Sequence, residues 1–336
     1  MAIQVGINGF GRIGRIALRS MIERGSHTFR IAGINLRNAD LDYMVYQVKY
    51  DTVFRTWMGS VEHDDQHLIV NGQKIRVYSY SDASEIPWDD CFAEYIIEST
   101  GAYLTTDTAS VHLKNGAKKV VISAPSKDSV TPTFVMGVNH EKYTTDMNVV
   151  SNASCTTNCL APMAKVINDN FGIVRGLMTT VHSFTNDQRV LDLPHKDPYR
   201  ARAAAMNMIP TSTGAAKAVG LVIPELQGKL TGISIRVPTP TGSIVDLVVE
   251  TAKPVTKEAV NAAMKAAAEG SMKGILDYTE DPIVLQDIVD DPHSSIFAGP
   301  WTMVMGDTML KCLSWYDNEW GYSNRAADLI EKLANL

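Results

Sequence analysis

Short apolar runs alternate with helical patterns through the first half of the chain. The buried strands that this pattern predicts lie at 3–7, 30–34, 95–99, 120–123 and 149–151. An amphipathic helix is predicted between the first two, because apolar residues recur at helical spacing over 16–22. Short β-branched strands separated by helices are typical of a buried parallel sheet. We therefore predict an α/β domain of the Rossmann type, with a doubly wound parallel sheet, over residues 1–154.

The second half combines further strand patterns with fewer helices. The predicted strands lie near 176–181, 232–237, 244–251 and 308–315. Helical patterns cover 257–269 and 324–336. This mixture predicts an α+β domain with a mixed or antiparallel sheet over residues 155–318.

Length, charge and cysteine content narrow the class of protein. A chain of 336 residues favours two domains, since single cores stop growing at roughly 250–300 residues. The net charge of −6 gives no electrostatic reason to bind nucleic acid or an anionic membrane. We see neither a membrane-spanning apolar run nor a secretory signal. Four cysteines without zinc-type spacing indicate no disulfide framework and no metal site, and favour a reducing, cytoplasmic setting.

A glycine-rich turn joins the first predicted strand to its helix. The run Asn8-Gly9-Phe10-Gly11-Arg12-Ile13-Gly14 has the spacing and context of a dinucleotide-binding fingerprint. Gly9 permits the tight turn, Gly11 lets the backbone approach a pyrophosphate, and Gly14 lets the helix pack on the strand. Helix N–H groups then face the phosphates. We predict a nicotinamide cofactor here, held by Gly9, Gly11, Arg12 and Ile13, with an unliganded glycine turn as the alternative.

The position that selects between NAD and NADP is unusual. The fingerprint expects an acidic residue about 20 residues on, bonded to the ribose 2′-hydroxyl. Leu36 stands there, 22 residues after Gly14, and Arg37 follows it. Leucine neither accepts the ribose hydrogen bonds nor repels a 2′-phosphate, whereas Arg37 can pair with that phosphate. We predict that Leu36 and Arg37 line the cofactor site, although a solvated surface residue is the alternative for Arg37.

One cysteine has the surroundings of a nucleophile. Small polar residues follow the strand at 149–151, and Ser154 is a good N-cap for an apolar helix that begins at Cys155. The positive end of the helix dipole predicts a lowered pKa for the Cys155 thiol. Cys159 lies one turn deeper and is expected to be buried and inert. A disulfide between Cys155 and Cys159 under oxidation is a side hypothesis.

A candidate base follows the strand predicted at 176–181. His182 stands at the end of that strand, where a histidine can meet a cysteine at a helix start. Taken alone, a histidine in such a position is more often a surface or core residue than a base.

These motifs together resemble phosphorylating glyceraldehyde-3-phosphate dehydrogenases. The Ser-Asn-Ala-Ser-Cys-Thr-Thr-Asn-Cys run at 151–159 is close to diagnostic for that family. The matching stretches span the chain at 7–15, 151–162, 179–187, 191–197, 210–217, 236–240 and 315–322.

The resemblance implies a role for each matching residue. It makes Cys155 the nucleophile and His182 the base. It implies a site for the attacking inorganic phosphate at Ser154, Thr156, Thr213 and Gly214. It implies contacts to the substrate phosphate from Thr185, Arg200 and Arg236. It implies that Asn318, aided by Tyr322, fixes the nicotinamide carboxamide, and that Ser123 lines the cofactor cleft.

The resemblance also implies a reaction and an assembly. Glyceraldehyde 3-phosphate and inorganic phosphate are the expected substrates, with NAD or NADP as cofactor and no metal. A thioester on Cys155 is the expected intermediate. The family is tetrameric, with the loop 196–208 near a neighbouring subunit's cofactor and the segment 319–336 packed on the first domain. We therefore expect a homotetramer.

Four departures from the family pattern affect these expectations. Leu36 replaces the ribose-binding aspartate, Ser81 and Tyr199 replace arginines, and Thr241-Gly242-Ser243 replaces Asn-Val-Ser. In contrast, Leu193-Pro194 resembles the loop of NAD-dependent relatives. Our hypothesis is use of both cofactors, with tolerance of NADP.

Two other functions remain open at this point. Erythrose-4-phosphate dehydrogenase shares the cysteine–histidine pair, although the run 211–216 favours the phosphate-using triose enzyme. A catalytically idle binding or scaffold protein is the second alternative, and the intact Cys155 and His182 argue against it.

Overall fold

The computed structural model describes residues 2–336 and divides the chain into two compact units. The first unit contains the residues up to Phe134 together with 140–153 and 323–336. The second unit contains 135–139 and 154–322.

The first unit is built on one eight-stranded sheet. Its strands are β1 (Ile3–Asn8), β2 (Phe29–Asn35), β3 (Val61–His63), β4 (His67–Val70), β5 (Gln73–Tyr78), β6 (Tyr95–Glu98), β7 (Lys119–Ile122) and β8 (Val149–Ser151). Its helices are α1 (Arg12–Glu23), α2 (Leu41–Lys49) and α3 (Thr106–Ala109). The strands β5-β2-β1-β6-β7-β8 are adjacent in this order and parallel. This is the strand order of a Rossmann sheet, which confirms the predicted fold class.

The strands β3, β4 and β5 were not among the predicted elements. They form an antiparallel addition, β3-β4-β5, at one edge of the parallel sheet. A hairpin signal does mark it, because Asn71 and Gly72 join β4 to β5 with φ of 50° and 79°. Asparagine followed by glycine at positive φ is the preferred two-residue hairpin turn.

The second unit contains a mixed sheet. Its strands are β9 (Ile173–Ser183), β10 (Ile209–Ser212), β11 (Leu230–Val237), β12 (Ser243–Thr251), β13 (Leu276–Thr279), β14 (Ser295–Ala298), β15 (Met303–Met305) and β16 (Met309–Tyr316). Its helices are α4 (Cys155–Phe171), α5 (Ala215–Val222) and α6 (Lys257–Glu269), and α7 (Trp320–Ala334) begins in this unit. The order is β10-β11-β9-β12-β16-β14-β13, with β15 beside β16. Two of these pairings are parallel and the others antiparallel, as the predicted mixed sheet requires.

Helix α4 packs on one face of this sheet and thereby positions the site. Residues alternate between buried and partly exposed along β12, and Val245, Leu247 and Val249 are fully buried. Helix α4 contacts β9, β12, β14 and β16. The burial of these apolar side chains holds the first turn of α4 in a fixed place beside the end of β9.

The C-terminal helix contributes to the first unit. Arg24 of α1 pairs with Asp328 of α7 at 2.5 Å, and the Ser20 hydroxyl donates to Asn324 Oδ1 at 2.9 Å. Among residues 2–336, no helix is both long and apolar enough to cross a bilayer.

Candidate active site

Cys155 is the first residue of α4. The Ser154 hydroxyl oxygen accepts from the Thr157 backbone N–H at 3.1 Å, which is the predicted N-cap. Cys155 keeps part of its surface open to solvent. A thiol at the start of a helix, beside free N–H groups, is well placed to attack a carbonyl carbon and to stabilise the oxyanion that forms.

His182 faces this thiol. Its Nε2 lies 3.5 Å from Cys155 Sγ, and its ring is buried. His182 lies at the end of its strand, as predicted, although β9 begins earlier, at Ile173, and continues one residue further, to Ser183. Its cross-strand neighbours are Arg236 on β11 and Ser243 on β12. Two strands therefore fix the imidazole in place.

Hydrogen bonds at the other ring nitrogen assign the tautomer. His182 Nδ1 lies 2.7 Å from the Ser183 carbonyl oxygen, so an N–H at Nδ1 donates to it. Nε2 is then the unprotonated nitrogen that faces the thiol. Arg236 Nη1 donates to the same carbonyl at 3.0 Å, and its 3.1 Å approach to Nδ1 is a longer contact between two donors, which the shorter bond from Nδ1 to Ser183 outweighs. This is the tautomer that a general base for Cys155 needs.

Burial dominates the proton affinities of this pair. Desolvation, followed by the charge of Arg236, lowers the pKa of His182 to about 3. Desolvation raises the pKa of the Cys155 thiol above 9.0, although Arg236 and hydrogen bonds from Thr156 act in the opposite direction. The predicted lowering of the thiol pKa is therefore wrong for this structure, because desolvation of the thiolate outweighs the groups that favour it. Burial therefore disfavours the charged form of both groups.

A buried tyrosine beside the start of α4 was missed in the sequence. The Tyr316 hydroxyl lies 2.8 Å from Thr156 Oγ1 and 2.9 Å from Thr180 Oγ1. Its ring meets His182 edge-on, with 5.9 Å between centroids. The only sequence signal was a tyrosine at the end of a predicted strand.

Arg236, Thr185 and Arg200 form a basic region beside His182. Arg236 Nη1 donates to Thr185 Oγ1 at 3.4 Å. Burial, and then the nearby charge of Arg200, lowers the pKa of Arg236. The guanidinium of Arg200 pairs with Asp187 and donates to Thr211 Oγ1 at 3.0 Å. Asp187 was not among the predicted site residues.

The hydroxyls predicted for inorganic phosphate lie at two helix starts. Ser154 and Thr156 are at the start of α4, where their side chains are bonded to Thr157 and Tyr316. Gly214 is the N-cap of α5, and Thr213 Oγ1 accepts from the Ala215 N–H at 3.2 Å. Gly214 is exposed and has no side-chain cap, so the α5 start presents its N–H groups outward.

Cys159 is one turn along the same helix and is fully buried, as expected. Burial raises the pKa of its thiol to about 12. All four cysteines are free thiols, so the proposed disulfide of Cys155 with Cys159 stays a prediction.

The first unit contains a cleft of about 500 Å³ at the carboxyl ends of β1, β2 and β6. Its lining includes Gly9, Gly11, Leu36 and Arg37 from the predicted cofactor set. Ser123 follows β7, and its N–H donates to the Glu98 carbonyl oxygen at 2.9 Å. Arg12, Ile13 and Ser123 do not line this cleft, contrary to the prediction. The Arg12 guanidinium turns instead to Asp51, at 2.6 Å.

The glycines of this cleft fit a dinucleotide. Gly9 has φ of +95°, and a Cβ there would lie 2.8 Å from the Ser99 carbonyl carbon. A Cβ on Gly14 would lie 2.1 Å from the Gly9 carbonyl oxygen. A Cβ on Gly11 would meet nothing within 4 Å, so open space lies over its backbone. Two glycines shape the turn and the third leaves room for a pyrophosphate.

The second unit holds the predicted carboxamide contact. Asn318 is buried, and its Oδ1 accepts from the hydroxyls of Ser183 at 2.9 Å and Ser243 at 3.1 Å. This arrangement fixes the amide and leaves Nδ2 as its donor side. No group of three or more His, Cys, Asp and Glu side chains that could hold a metal occurs within residues 2–336.

The fold and these side chains define a class: a dinucleotide-binding protein with a cysteine–histidine pair, as in thiol-dependent dehydrogenases. Family models match residues 3–106 as "Glyceraldehyde 3-phosphate dehydrogenase, NAD binding domain" and 154–318 as its "C-terminal domain". The chain belongs to the glyceraldehyde-3-phosphate dehydrogenase family.

Named relatives extend this match over the full length. Glyceraldehyde-3-phosphate dehydrogenase 2 of Streptomyces avermitilis is 54% identical over 100% of this chain and 99% of its own. Glyceraldehyde-3-phosphate dehydrogenase 2 of Schizosaccharomyces pombe is 55% identical over 100% and 99%. The Glossina morsitans morsitans enzyme is 54% identical over 98% and 97%.

Proposed function

We propose that the chain catalyses the phosphorylating oxidation of D-glyceraldehyde 3-phosphate to 1,3-bisphosphoglycerate with NAD or NADP. The observation that carries the proposal is the 3.5 Å approach of Cys155 Sγ to His182 Nε2, in a chain of this family. Residues 1–154 are the proposed cofactor domain and 155–318 the catalytic domain. A reducing, cytoplasmic setting suits the free thiol that the reaction needs.

Cys155 and His182 share the covalent chemistry. Nε2 accepts the thiol proton as Sγ bonds to the aldehyde carbon, and the resulting oxyanion takes that proton to complete a thiohemiacetal. The Cys155 N–H at the helix start stabilises the oxyanion. His182 then removes the hydroxyl proton as hydride leaves the carbon, which yields a thioester. The nicotinamide cofactor, when bound, supplies the hydride acceptor.

Phosphate chemistry completes the cycle. An oxygen of inorganic phosphate attacks the thioester carbon, the S–C bond breaks, and an acyl phosphate leaves while Cys155 keeps the electron pair. Ser154, Thr156, Thr213 and Gly214 are the proposed site for this phosphate. Thr185, Arg200 and Arg236 are proposed to hold the substrate's own phosphate, because arginines favour such oxyanions.

The test is a variant pair with a matched cysteine control. Cys155→Ser should abolish reduced-cofactor formation while cofactor binding persists, and His182→Gln should lower kcat by about 100-fold or more. Cys91→Ser changes a thiol of the first unit and should leave turnover unchanged. Unchanged turnover in Cys155→Ser would overturn the proposal. A rate with glyceraldehyde 3-phosphate that does not depend on phosphate, beside efficient use of erythrose 4-phosphate, would favour the erythrose-4-phosphate enzyme instead.

We also propose that the enzyme accepts both NAD and NADP. Leu36 is partly buried in the cleft, and Arg37 is exposed beside it, so no carboxylate opposes a 2′-phosphate there. Leu36→Asp should raise kcat/KM for NAD and lower it for NADP, whereas Arg37→Ala should lower it for NADP alone. A strong NAD preference in the wild-type enzyme contradicts the idea.

A homotetramer is proposed from an apolar sheet face. On the side of the second sheet opposite α4, Leu177, Ile233 and Met309 are 65%, 49% and 44% exposed. An apolar patch of this kind is typical of a subunit interface, and a second copy is the partner the family resemblance implies. Light scattering should give four chain masses, and Leu177→Lys should give a smaller species. A monomeric wild-type protein would refute this proposal.

A further inference from the structure

A buried hydrogen bond between a histidine and a glutamate lies behind the wall of the cofactor cleft in the first unit. Glu98 ends β6, and its Oε2 lies 3.0 Å from His112 Nε2. Both side chains are completely buried. Taking a carboxylate out of water is unfavourable unless hydrogen bonds replace its hydration. The hydrogen-bond partners of Glu98 therefore indicate which part of the structure Glu98 and His112 support.

A tryptophan fixes the direction of the hydrogen bonds. Trp88 Nε1 donates to His112 Nδ1 at 3.0 Å. Because an indole N–H can only donate, Nδ1 must carry the lone pair and Nε2 the proton. His112 consequently donates to Glu98, and Trp88 is its support on the opposite side.

Four donors converge on the Glu98 carboxylate. Oε2 accepts from His112 Nε2 and from Asn8 Nδ2, the latter at 2.6 Å. Oε1 accepts from the Thr100 N–H at 2.8 Å and from the Thr100 hydroxyl. These four hydrogen bonds occupy the four lone-pair directions of the carboxylate, so Glu98 has no acceptor position left unused.

The bonds continue into the cleft itself. Asn8 Oδ1 accepts from Asn35 Nδ2 at 2.9 Å, and Asn35 Oδ1 accepts from the Tyr80 N–H at 2.9 Å. Asn8, Asn35 and Thr100 stand at the carboxyl ends of β1, β2 and β6, three adjacent strands on either side of the glycine turn. All three, together with Tyr80, line the cleft. Glu98 reaches the cleft through Asn8 and Thr100, and the ring of His112 also meets that of Tyr103, another residue of the cleft lining, at 5.9 Å between centroids.

We propose that Glu98 and His112 are positioning residues that fix the wall of the cofactor cleft and so set the affinity for the nicotinamide dinucleotide. The inference rests on the proposed function, since it takes this cleft to be the cofactor site. Removal of the carboxylate frees the Asn8 amide and Thr100 to rotate, and cofactor binding must then order them again. The chemistry at Cys155 does not depend on these bonds.

Glu98→Gln is the sharpest perturbation, because it keeps the shape and replaces one acceptor oxygen with a donor that faces donors. Cofactor Kd, from the fluorescence of bound NADH, should rise about tenfold or more, and KM for the cofactor should follow. At saturating cofactor, kcat should stay within about twofold, and the rate of Cys155 alkylation in the cofactor-free protein should not change.

A second pair of variants keeps the test decisive if Glu98→Gln does not fold. His112→Gln retains a side-chain donor for Glu98 and should bind NADH nearly as well as the wild type. His112→Leu removes that donor and should bind it several-fold more weakly. Ser20→Ala is the matched control: it deletes a buried hydrogen bond of the same unit, to Asn324, away from the cleft. It should lower the melting temperature without changing Kd.

The outcomes separate the inference from the proposed function. If the wild-type protein binds neither NADH nor NADPH, the proposed function fails. If the wild type binds NADH and both Glu98→Gln and His112→Leu bind it equally well, with only a lower melting temperature, as in Ser20→Ala, the positioning role is wrong. A fall in kcat with an unchanged cofactor KM would also overturn it.

Discussion

Replacement of His182 by glutamine tests whether the imidazole is held neutral beside Cys155. Burial and the charge of Arg236 lower the pKa of His182 from 6.5 to about 3. The unfolded chain therefore binds a proton between these pH values that the folded protein does not bind. The stability that His182 contributes is complete above pH 6.5 and is lost as the pH falls towards 3. Glutamine does not titrate, so the His182→Gln variant does not lose this stability as the pH falls.

The magnitude follows from the size of the shift. One pKa unit corresponds to about 1.4 kcal/mol. Between pH 7 and pH 5 the wild-type protein should lose about 2 kcal/mol of unfolding free energy relative to His182→Gln, because 5 lies about 1.5 units below the ordinary histidine pKa. The thiol of Cys155 does not interfere in this range, since its pKa lies above 9.0.

Urea denaturation at pH 5, 6, 7 and 8, at one protein concentration, measures this difference. Tyr316→Phe is the control, because it removes a hydroxyl beside the same imidazole and should differ from the wild type by a constant amount at every pH. A thiolate–imidazolium pair in the resting protein would raise the pKa of His182 instead. The wild type would then lose stability relative to the variant as the pH rises above 6.5, and that result would refute our assignment.

Three further predictions concern the turn, the helix start and a buried carboxyl. Gly14→Ala should lower the unfolding free energy by about 3 kcal/mol in urea denaturation, because the new Cβ would lie 2.1 Å from the Gly9 carbonyl oxygen. Gly11→Ala should instead keep the wild-type stability and lose cofactor affinity. Equal stability of the two variants would contradict this prediction. Ser154→Ala removes the cap of α4 and should lower the unfolding free energy by about 1 kcal/mol in the same assay. An unchanged unfolding free energy would show that the cap does not stabilise the helix. Burial raises the pKa of Asp317 from 3.8 to about 6, so ionisation destabilises the folded protein as the pH rises through this range. Asp317→Asn should gain about 3 kcal/mol relative to the wild type between pH 4 and pH 7 in unfolding titrations, and a constant difference would count against the raised pKa.

The parallel core of the first unit was predictable because its signals are local. Strands such as β1, β6 and β7 are buried on both faces, so each leaves an uninterrupted apolar run in the sequence. The hairpin of β4 and β5 leaves a weaker signal, because β4 has only the short apolar run 68–70 and β5 interleaves polar residues with apolar ones. Its turn at Asn71 and Gly72 was the better guide.

The position of Cys155 was also predictable from neighbouring residues. Ser154 before an apolar helix is a cap signal, and it placed Cys155 correctly at the helix start. The proton affinity of Cys155 was not predictable in this way. It depends on residues that are distant in the chain and lie near the sulfur in the fold, such as Arg236 and Tyr316. No local sequence pattern indicates which residues these are.

Arg236 shows why the electrostatics of this site depend on tertiary contacts. Its charge lowers the pKa of the Cys155 thiol and also that of His182, 54 residues earlier in the chain. The same guanidinium therefore favours the thiolate and disfavours the imidazolium, so it does not on its own drive the proton from sulfur to nitrogen. Burial opposes both charged forms as well. The register of β9 with β11, which sets Arg236 directly beside His182, is what creates this balance.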